Sequence, residues 1–244
     1  PSAAELIRAG APFNALHNNC SGKHSGFVCL GCLLARQAGQ PARDFLRGYV
    51  EPGHVVMREV SAAVSAATGV DVERQPRGRD GCSIPTHALP LTALARGFAR
   101  FGTGLGLSPG HAAAAARLRQ AVAASPWHVA GTGRFDTRVM QALGERIFCK
   151  VGAEAVYCAA LPERGWGVAI KMEDGNTARA VEVVMAAVIQ AALGLEEGGG
   201  AAAADLIASL VDQPLANWRG LPVGRLSAAA GLRQALAPLR PQSA

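Results

Sequence analysis

The segment HNNCSGKHSG, residues 17–26, concentrates side chains that can act as nucleophiles, bases or metal ligands. Cys20 and Lys23 are three residues apart at the predicted start of a helix, so both lie on one face. An ammonium group and a helix N-terminus lower the pKa of a nearby thiol, which makes a Cys-x-x-Lys nucleophile chemically reasonable by analogy with Ser-x-x-Lys enzymes. From the residues alone we favour the alternative, in which Cys20 is a small buried residue and Lys23 is solvated.

A metal site in this region needs donors from distant parts of the chain. Cys20, His24 and Cys82 could supply three sulfur or nitrogen ligands of the kind that Zn²⁺ prefers. Their spacing is not that of a Cys-x-x-Cys pair, so spacing alone is weak support for a metal. Cys29 and Cys32 do have that spacing, in CLGC, but the surrounding run is apolar. We predict that this second pair packs in the core.

A second group of reactive side chains lies in RDGCSIPTH, residues 79–87. Asp80, Cys82, Ser83 and His87 are interspersed with glycine and proline, which predicts a loop. Loops held by a rigid scaffold often carry functional groups, although a polar loop of this length is also ordinary. The chemical meaning of this loop depends on whether it meets Cys20 in space.

Lys171 stands alone in the apolar segment GWGVAIKME. Alternation there predicts a strand with Trp166, Val168 and Ile170 on one face and Lys171 on the other. A strand lysine is usually exposed or on a sheet edge, but beside a cleft it can act as a base or donor to a nucleophilic serine. Weaker candidates, each equally well explained as turn, cap or surface charge, are Arg134, Asp136, Glu154 and Asp174.

Composition narrows the possible functions. The formal net charge is +6, but the arginines are scattered singly, which is weak support for nucleic-acid binding. Without an apolar stretch of membrane-spanning length or a signal peptide, we expect a cytoplasmic protein. Six cysteines are too few for a disulfide scaffold in 244 residues. Because the chain starts at Pro1 without an initiator methionine, we interpret it as the C-terminal part of a longer polypeptide.

The pattern in the first part of the chain is mainly helical. Residues 23–38 are apolar almost all round, which predicts a helix buried on several sides, with Ser21 as its N-cap. GVDVER predicts a short strand, and Asp136 is the predicted cap of the helix after AGTGRFDT. Other predicted helices cover 54–68, the stretch after Pro90 and 111–124.

After residue 145 the apolar period changes to two. RIFCK, AVYCAAL and GWGVAIKME predict three strands, followed by a helix over 177–193, a loop at LEEGGGAAAA and a last strand in NWRGLPVGRL. This mixture predicts an α+β fold. We predict a single domain with three parts: a mostly helical part at 1–144, a sheet-and-helix part at 145–236 and a frayed tail at 237–244.

Six motifs occur in an order that resembles one family. LHNNCSGKH, RDGCSIPTHALPL, AGTGRFDT, KVGAEAVY, GWGVAIKMEDGN and NWRG are similar to motifs of the bacterial L-asparaginases of the Rhizobium etli inducible type. The resemblance covers the chain up to about residue 226. It implies a fold like that of serine β-lactamases and glutaminases.

The resemblance also implies a reaction and a set of site residues. Family members hydrolyse L-asparagine to L-aspartate and ammonia with serines activated by lysines, and they can bind zinc through two cysteines and a lysine. The matching motif positions are Cys20, Lys23 and Cys82 for zinc, with His24 and Asp80 beside these ligands or the substrate. Lys171 matches the strand lysine that pairs with a catalytic serine. We further expect a homodimer.

The chain departs from the family in one respect that bears on activity. The resemblance places the nucleophile in a Ser-x-x-Lys segment upstream of HNNCSGKH, and no Ser-x-x-Lys occurs in these 244 residues. We therefore predict asparaginase activity for the intact protein and an inactive isolated chain. Two alternatives stay open: a zinc or thiol-binding module without catalysis, and an amidohydrolase that uses Cys20 itself as nucleophile.

Overall fold

A computed structural model describes residues 3–195 and 201–241, which form two compact units. The first unit comprises residues up to Ser65 together with Asp71–Ala88, and the second comprises Ala66–Val70 and the residues from Leu89 onward. The division of the chain predicted at residue 144 stays a prediction. The predicted loop LEEGGGAAAA and the last residues of the predicted tail lie in part outside the described residues.

The first unit consists of helices and one short hairpin. Its elements are α1 (Ala3–Arg8), α2 (Ser21–Gln37), α3 (Ala42–Phe45), α4 (Val55–Thr68, whose last turn belongs to the second unit), β1 (Arg77–Arg79) and β2 (Pro85–His87). Its small core contains Val56, Met57 and Ile84, surrounded by partly buried apolar side chains from α2, α4 and the segment between α3 and α4. Few apolar side chains therefore hold this unit together.

Helix α2 confirms the predicted helix but not its predicted burial. Gly31 and Ala35 are its buried residues, and the Leu33 side chain is 60% exposed. The close approach is at Gly31, where an added Cβ would collide with the Leu46 side chain. The predicted cap is also wrong, because Cys20 occupies the N-cap position and makes no capping hydrogen bond with its side chain.

Two segments after α4 differ from their predictions. VDVER is not a strand, because the Asp71 carboxylate accepts the Glu73 N–H at 3.2 Å and closes a 3₁₀ turn over Val72–Arg74. RDGCSIPTH is more ordered than a loop. The antiparallel strands β1 and β2 pair Arg77 with His87 and Arg79 with Pro85, so residues 80–84 form the turn of a hairpin.

The second unit contains the predicted sheet and most of the helices. Its elements are α5 (Leu91–Thr103), α6 (Pro109–Ala124), α7 (Trp127–Ala130), α8 (Phe135–Leu143), β3 (Phe148–Val151), β4 (Val156–Leu161), β5 (Trp166–Lys171), α9 (Ala180–Leu193), α10 (Ala202–Val211), β6 (Asp212–Ala216), β7 (Pro222–Ser227) and α11 (Ala230–Leu236). Strand β6, which pairs with β7 in a second hairpin, was not predicted.

The three predicted strands form an antiparallel sheet in the order β3-β4-β5. One face of β5, with Trp166, Val168 and Ile170, packs against the large core built with α8, α9 and α10, as the alternation predicts. Helix α5 packs on the other face, so closely that an added Cβ at Gly167 would collide with the backbone of Ala95 and Ala99. The sheet therefore lies between α5 and a layer of three helices.

Buried residues on α8 and α9 complete this core. Helix α9 confirms the predicted helix and buries side chains around most of its circumference. Asp136 is not the cap of α8, which begins after Arg134; it lies buried in the first turn, where its Oδ1 accepts the Val151 N–H at 2.8 Å. No described helix is both long and apolar enough to cross a membrane. The helices and small antiparallel sheets confirm the α+β class.

Candidate functional site

The turn of the first-unit hairpin is organised around Asp80. Its Oδ1 accepts the N–H groups of Cys82 at 2.8 Å and Ile84 at 3.2 Å, and its own N–H donates to the Ile84 carbonyl at 3.0 Å. Ser83 adopts a left-handed conformation with φ 75°, which costs free energy for a residue with a Cβ. These bonds fix Cys82 directly beside the Asp80 carboxylate.

Lys23 reaches this turn from α2. Its Nζ donates to Asp80 Oδ2 at 2.7 Å, and the two side chains are 32% and 31% exposed. The pair connects segments that are 57 residues apart in the sequence. Partial burial makes this ion pair stronger than a fully exposed one, for which about 0–1 kcal/mol is typical.

The ion pair determines the charges of both partners. Burial alone raises the pKa of Asp80, but hydrogen bonds from Lys23, Cys82 and Ile84 outweigh it and hold that pKa below its ordinary value. Burial alone lowers the pKa of Lys23, but the hydrogen bond and charge of Asp80, with smaller contributions from the two thiols, raise it overall. Asp80 is therefore a carboxylate and Lys23 an ammonium ion at neutral pH.

The thiols of Cys20 and Cys82 are neighbours of this pair. The interaction with the neighbouring Cys20 side chain raises the pKa of Cys82, burial raises it further, and the positive charge of Lys23 opposes both. Cys82 is thus a protonated thiol at neutral pH rather than a reactive thiolate. The structure brings together four of the predicted site residues: Cys20, Lys23, Asp80 and Cys82.

His24 makes a contact that the sequence did not indicate. Its Nδ1 and the Tyr49 hydroxyl form a hydrogen bond of 2.6 Å, and its ring lies edge-on to Tyr49 and Phe27, with centroids 5.8 Å away in both cases. Tyr49 thereby fixes the orientation of the His24 ring. The aromatic residue in the glycine- and proline-bearing segment GYVEPG is the sequence signal that could have indicated it.

An ion pair between Arg79 and Glu51, which the sequence also did not indicate, connects the hairpin to the segment before α4. Arg79 donates to both carboxylate oxygens of Glu51, at 2.6 and 3.2 Å, in the bidentate geometry that orients a guanidinium most firmly. The hydrogen bonds from Arg79 lower the pKa of Glu51, burial opposes them, and the charge of Arg79 lowers the pKa further. Glu51 and Tyr49 belong to the same short segment, which therefore supports both His24 and the hairpin.

Two asparagines, one in HNNCSGKH and one just before it, shape the approach to α2. The Asn18 side chain accepts the Cys20 N–H at 2.7 Å. Asn14 caps the 3₁₀ turn Ala15–His17 by accepting the Leu16 N–H at 3.0 Å, while its own N–H donates to His17 Nδ1 at 3.1 Å. These bonds fix the backbone of the segment that presents the Cys20 thiol.

Lys171 belongs to the second unit, at the end of β5. Its side chain is exposed, and its Nζ donates to the Met172 carbonyl at 2.7 Å. The neighbouring β3–β4 turn contains Glu154 and Ala155, which are both left-handed with φ 55° and 53°. The Ala155 carbonyl accepts the Met172 N–H at 3.1 Å, which ties this strained turn to the end of the lysine-bearing strand.

The donors near Asp80 limit how a metal could be held. Within residues 3–195 and 201–241, no group of three or more His, Cys, Asp or Glu side chains could hold a metal ion. Beside Cys20 and Cys82, the Lys23 amine is a further donor that a metal site could use. Two thiols and an amine are acceptable zinc ligands once deprotonated. Lys23 must give up a proton and its bond to Asp80 to serve in this way.

Comparison with known proteins identifies the class. The profile of the L-asparaginase II family matches residues 1–228, and the chain belongs to this family. Membership supports an amidohydrolase, and it suggests asparaginase activity with L-asparagine as substrate. A search of curated proteins finds no match.

Proposed function

We propose that this chain provides the Cys20, Lys23, Asp80 and Cys82 cluster of an L-asparaginase similar to the Rhizobium etli inducible type. The observation that carries the proposal is the convergence of these four side chains from two distant segments in a member of the L-asparaginase II family. The reaction is hydrolysis of L-asparagine to L-aspartate and ammonia. The α+β architecture supports a fold like that of serine β-lactamases and glutaminases.

The mechanism is acyl transfer by a serine activated by lysines. A serine attacks the side-chain amide carbon, ammonia leaves, and water releases aspartate from the acyl-enzyme. Lys171 of VAIKMEDG is the lysine of this chain that pairs with a catalytic serine, because it matches the strand lysine of the family, and its exposed Nζ is bonded to the Met172 carbonyl. Because no Ser-x-x-Lys occurs in the 244 residues, the nucleophile comes from outside this sequence and the isolated chain is inactive.

Zinc would be held by Cys20, Lys23 and Cys82, where it would supply a positive charge that orients the substrate. With Lys23 engaged in this way, the Asp80 carboxylate would be available to accept a hydrogen bond from a donor group of asparagine. The backbone N–H groups of Cys82 and Ile84 keep that carboxylate in place and ionised. His24, oriented by Tyr49, is the neighbouring polar group on α2.

Ammonia release from L-asparagine tests the reaction. We compare the 244-residue chain with the longest protein encoded in its reading frame. We expect turnover of L-asparagine only by a protein that contains a Ser-x-x-Lys segment. In an active product, Cys20→Ser raises KM without abolishing turnover. Turnover by the isolated chain contradicts the serine mechanism, and its abolition by Cys20→Ser then assigns the nucleophile to Cys20.

Lys23 variants test the zinc site against a purely structural role. The Lys23–Asp80 ion pair also favours a second function, in which these residues merely tie α2 to the hairpin without catalysis. Lys23→Arg keeps the ion pair but cannot ligate a metal, because a guanidinium does not deprotonate in proteins, whereas Lys23→Ala removes both. We expect both variants to lose zinc in metal analysis, and only the alanine variant to lose stability.

Zinc retained by Lys23→Arg contradicts the proposed ligand set. Unfolding of Cys20→Ser, in place of a folded protein with altered asparagine affinity, supports the structural alternative.

We also propose a homodimer and a cytoplasmic location. Sedimentation of the purified protein and fractionation of its host cells test these two proposals.

A further inference from the structure

Helix α2 carries a second pair of thiols away from the proposed active site. Cys29 and Cys32 are free and exposed, which corrects the prediction that CLGC packs in the core. The helix makes its close contact through Gly31, against Leu46 and Val56. The two thiols therefore face solvent on a helix that is anchored from its other side.

The spacing of these thiols suits one bridging ion better than a disulfide. Side chains at i and i+3 of a helix have Cβ atoms about 5–6 Å apart, whereas a disulfide needs about 3.5–4.5 Å. A metal ion with sulfur bonds of about 2.3 Å allows two sulfurs to stand about 4 Å apart. Ligand pairs with this helical spacing also occur in the metal sites of helix bundles.

The pair is separate from the other thiols of the protein. Cys29 follows Cys20 by nine residues, which places it about 13 Å further along the helix axis and on the opposite face. Cys149 and Cys158 are buried in the second unit, where burial raises the pKa of Cys149 well above its ordinary value and that of Cys158 to about 11. Neither can compete for an ion that arrives from solvent.

We propose that Cys29 and Cys32 form a bidentate dithiolate site for a thiophilic divalent cation of the zinc and cadmium type. On binding, each thiol releases its proton to solvent and each sulfur forms one bond to the ion. Water fills the remaining coordination positions, so no oxidant or reductant takes part. This site is independent of the asparaginase proposal and stands if that proposal fails.

Cadmium titration tests the site in a Cys20→Ala/Cys82→Ala variant, which lacks the other accessible thiol pair. The ultraviolet sulfur-to-cadmium charge-transfer band should saturate at one ion per chain with the intensity of two thiolates. Cys29→Ser and Cys32→Ser should each weaken cadmium binding about 100-fold or more. A single thiol binds the ion without the high effective concentration that a second, neighbouring thiol provides.

A matched control keeps two thiols on α2 but separates them. Gly26 has no neighbouring atom within 4 Å of an added Cβ, so Gly26→Cys combined with Cys29→Ser is tolerated. It places its thiols six residues apart, about 9 Å along the axis and on different faces. We expect this variant to bind cadmium like a single thiol.

Two results overturn the proposal: equal affinity in the Gly26→Cys/Cys29→Ser control, or a band unchanged by both serine variants. Circular dichroism establishes that each variant is folded. If the background variant does not fold, the same substitutions in the otherwise unchanged chain should remove one bound cadmium ion per chain, and failure to do so overturns the proposal equally.

Discussion

The two units of the chain are stabilised by different means. The second unit buries a large apolar core, in which Tyr157, Met140, Leu161, Met185 and Ile189 are almost fully inaccessible to solvent. The buried core of the first unit is small, and ion pairs and hydrogen bonds on its surface join its segments. The clustered site residues are thus held on the less well packed scaffold.

This difference has a thermodynamic meaning. Burial of apolar surface contributes about 25 cal/mol per Å², whereas exposed ion pairs contribute about 0–1 kcal/mol each. Regions with few buried apolar contacts open at a lower free energy than a well-packed core. Substitutions in the core of the second unit should therefore change the free energy of unfolding most, and substitutions in the first unit should change it less and also alter local order and the site.

The largest effect is expected at the contact between β5 and α5. Gly167→Ala should lower the free energy of unfolding by about 3 kcal/mol or more, because the added Cβ collides with the backbone of Ala95 and Ala99. Urea denaturation measures the loss. The displaced strand also carries Lys171, so activity of the intact protein should fall with stability.

Gly110→Ala is the matched control. Gly110 lies in the first turn of α6 with no atom within 4 Å of an added Cβ, so alanine should be neutral or stabilise by up to about 1 kcal/mol. Equal effects of the two substitutions would contradict the close packing of α5 on the sheet.

A smaller effect is expected from Asp80 in the first unit. Asp80→Ala removes the acceptor of three hydrogen bonds and should lower the free energy of unfolding by about 2 kcal/mol, since the group is partly exposed. Asp80→Asn keeps a carbonyl oxygen for Cys82 and Ile84 and should cost about half as much. Hydrogen exchange should show increased exchange in residues 77–87. If amide protection in residues 77–87 were the same in both variants as in the wild type, the proposed role of the carboxylate in ordering the turn would be contradicted.

The Lys23–Asp80 pair should make stability depend on pH. The pKa of Asp80 is lowered by folding, so its contribution is present above about pH 3.9 and is lost as the pH falls through the folded pKa. The pKa of Lys23 is raised, so its contribution is complete below about pH 10.4 and is lost as the pH rises through the folded pKa. The stability difference between wild type and Asp80→Asn should be about 1 kcal/mol at pH 7 and shrink at both extremes.

A constant difference from pH 3 to pH 11 would contradict the charge interaction. Glu51→Gln is the matched control, because it removes a carboxylate that is more exposed. Its pairing with Arg79 should contribute less at every pH, and salt should screen it more strongly.

The sheet could be predicted from sequence because each face of β5 has one kind of neighbour. The alternation from Trp166 to Lys171 arises because one face of the strand packs on the apolar core. The other face packs against α5 and has a glycine, Gly167, at the closest contact. The hairpin of the first unit gives no such pattern, since RGR and PTH are short and without apolar alternation. Its order comes from the Asp80 carboxylate, whose bonds to the Cys82 and Ile84 N–H groups form a turn and leave no apolar period in the sequence.

The burial of α2 shows a second limit. An apolar composition indicates a helix but does not show which side is covered, and the contact at Gly31 leaves Cys29, Cys32 and Leu33 exposed. The site residues came from family motifs, whereas their convergence depends on a contact across 57 residues. Tyr49 was missed because its meeting with His24 is tertiary and leaves no periodic signal.

The smallest expected effect concerns the strain in the turn that holds Cys82. Ser83→Gly should relieve the left-handed conformation, which costs about 1–2 kcal/mol with a Cβ, while the freer unfolded chain takes back about half of that gain. A net stabilisation of about 0.5 kcal/mol should be measurable by urea denaturation. Ser83→Ala keeps the strain and should give no gain, so stabilisation by alanine would show that the serine hydroxyl, and not the backbone, is the source of strain.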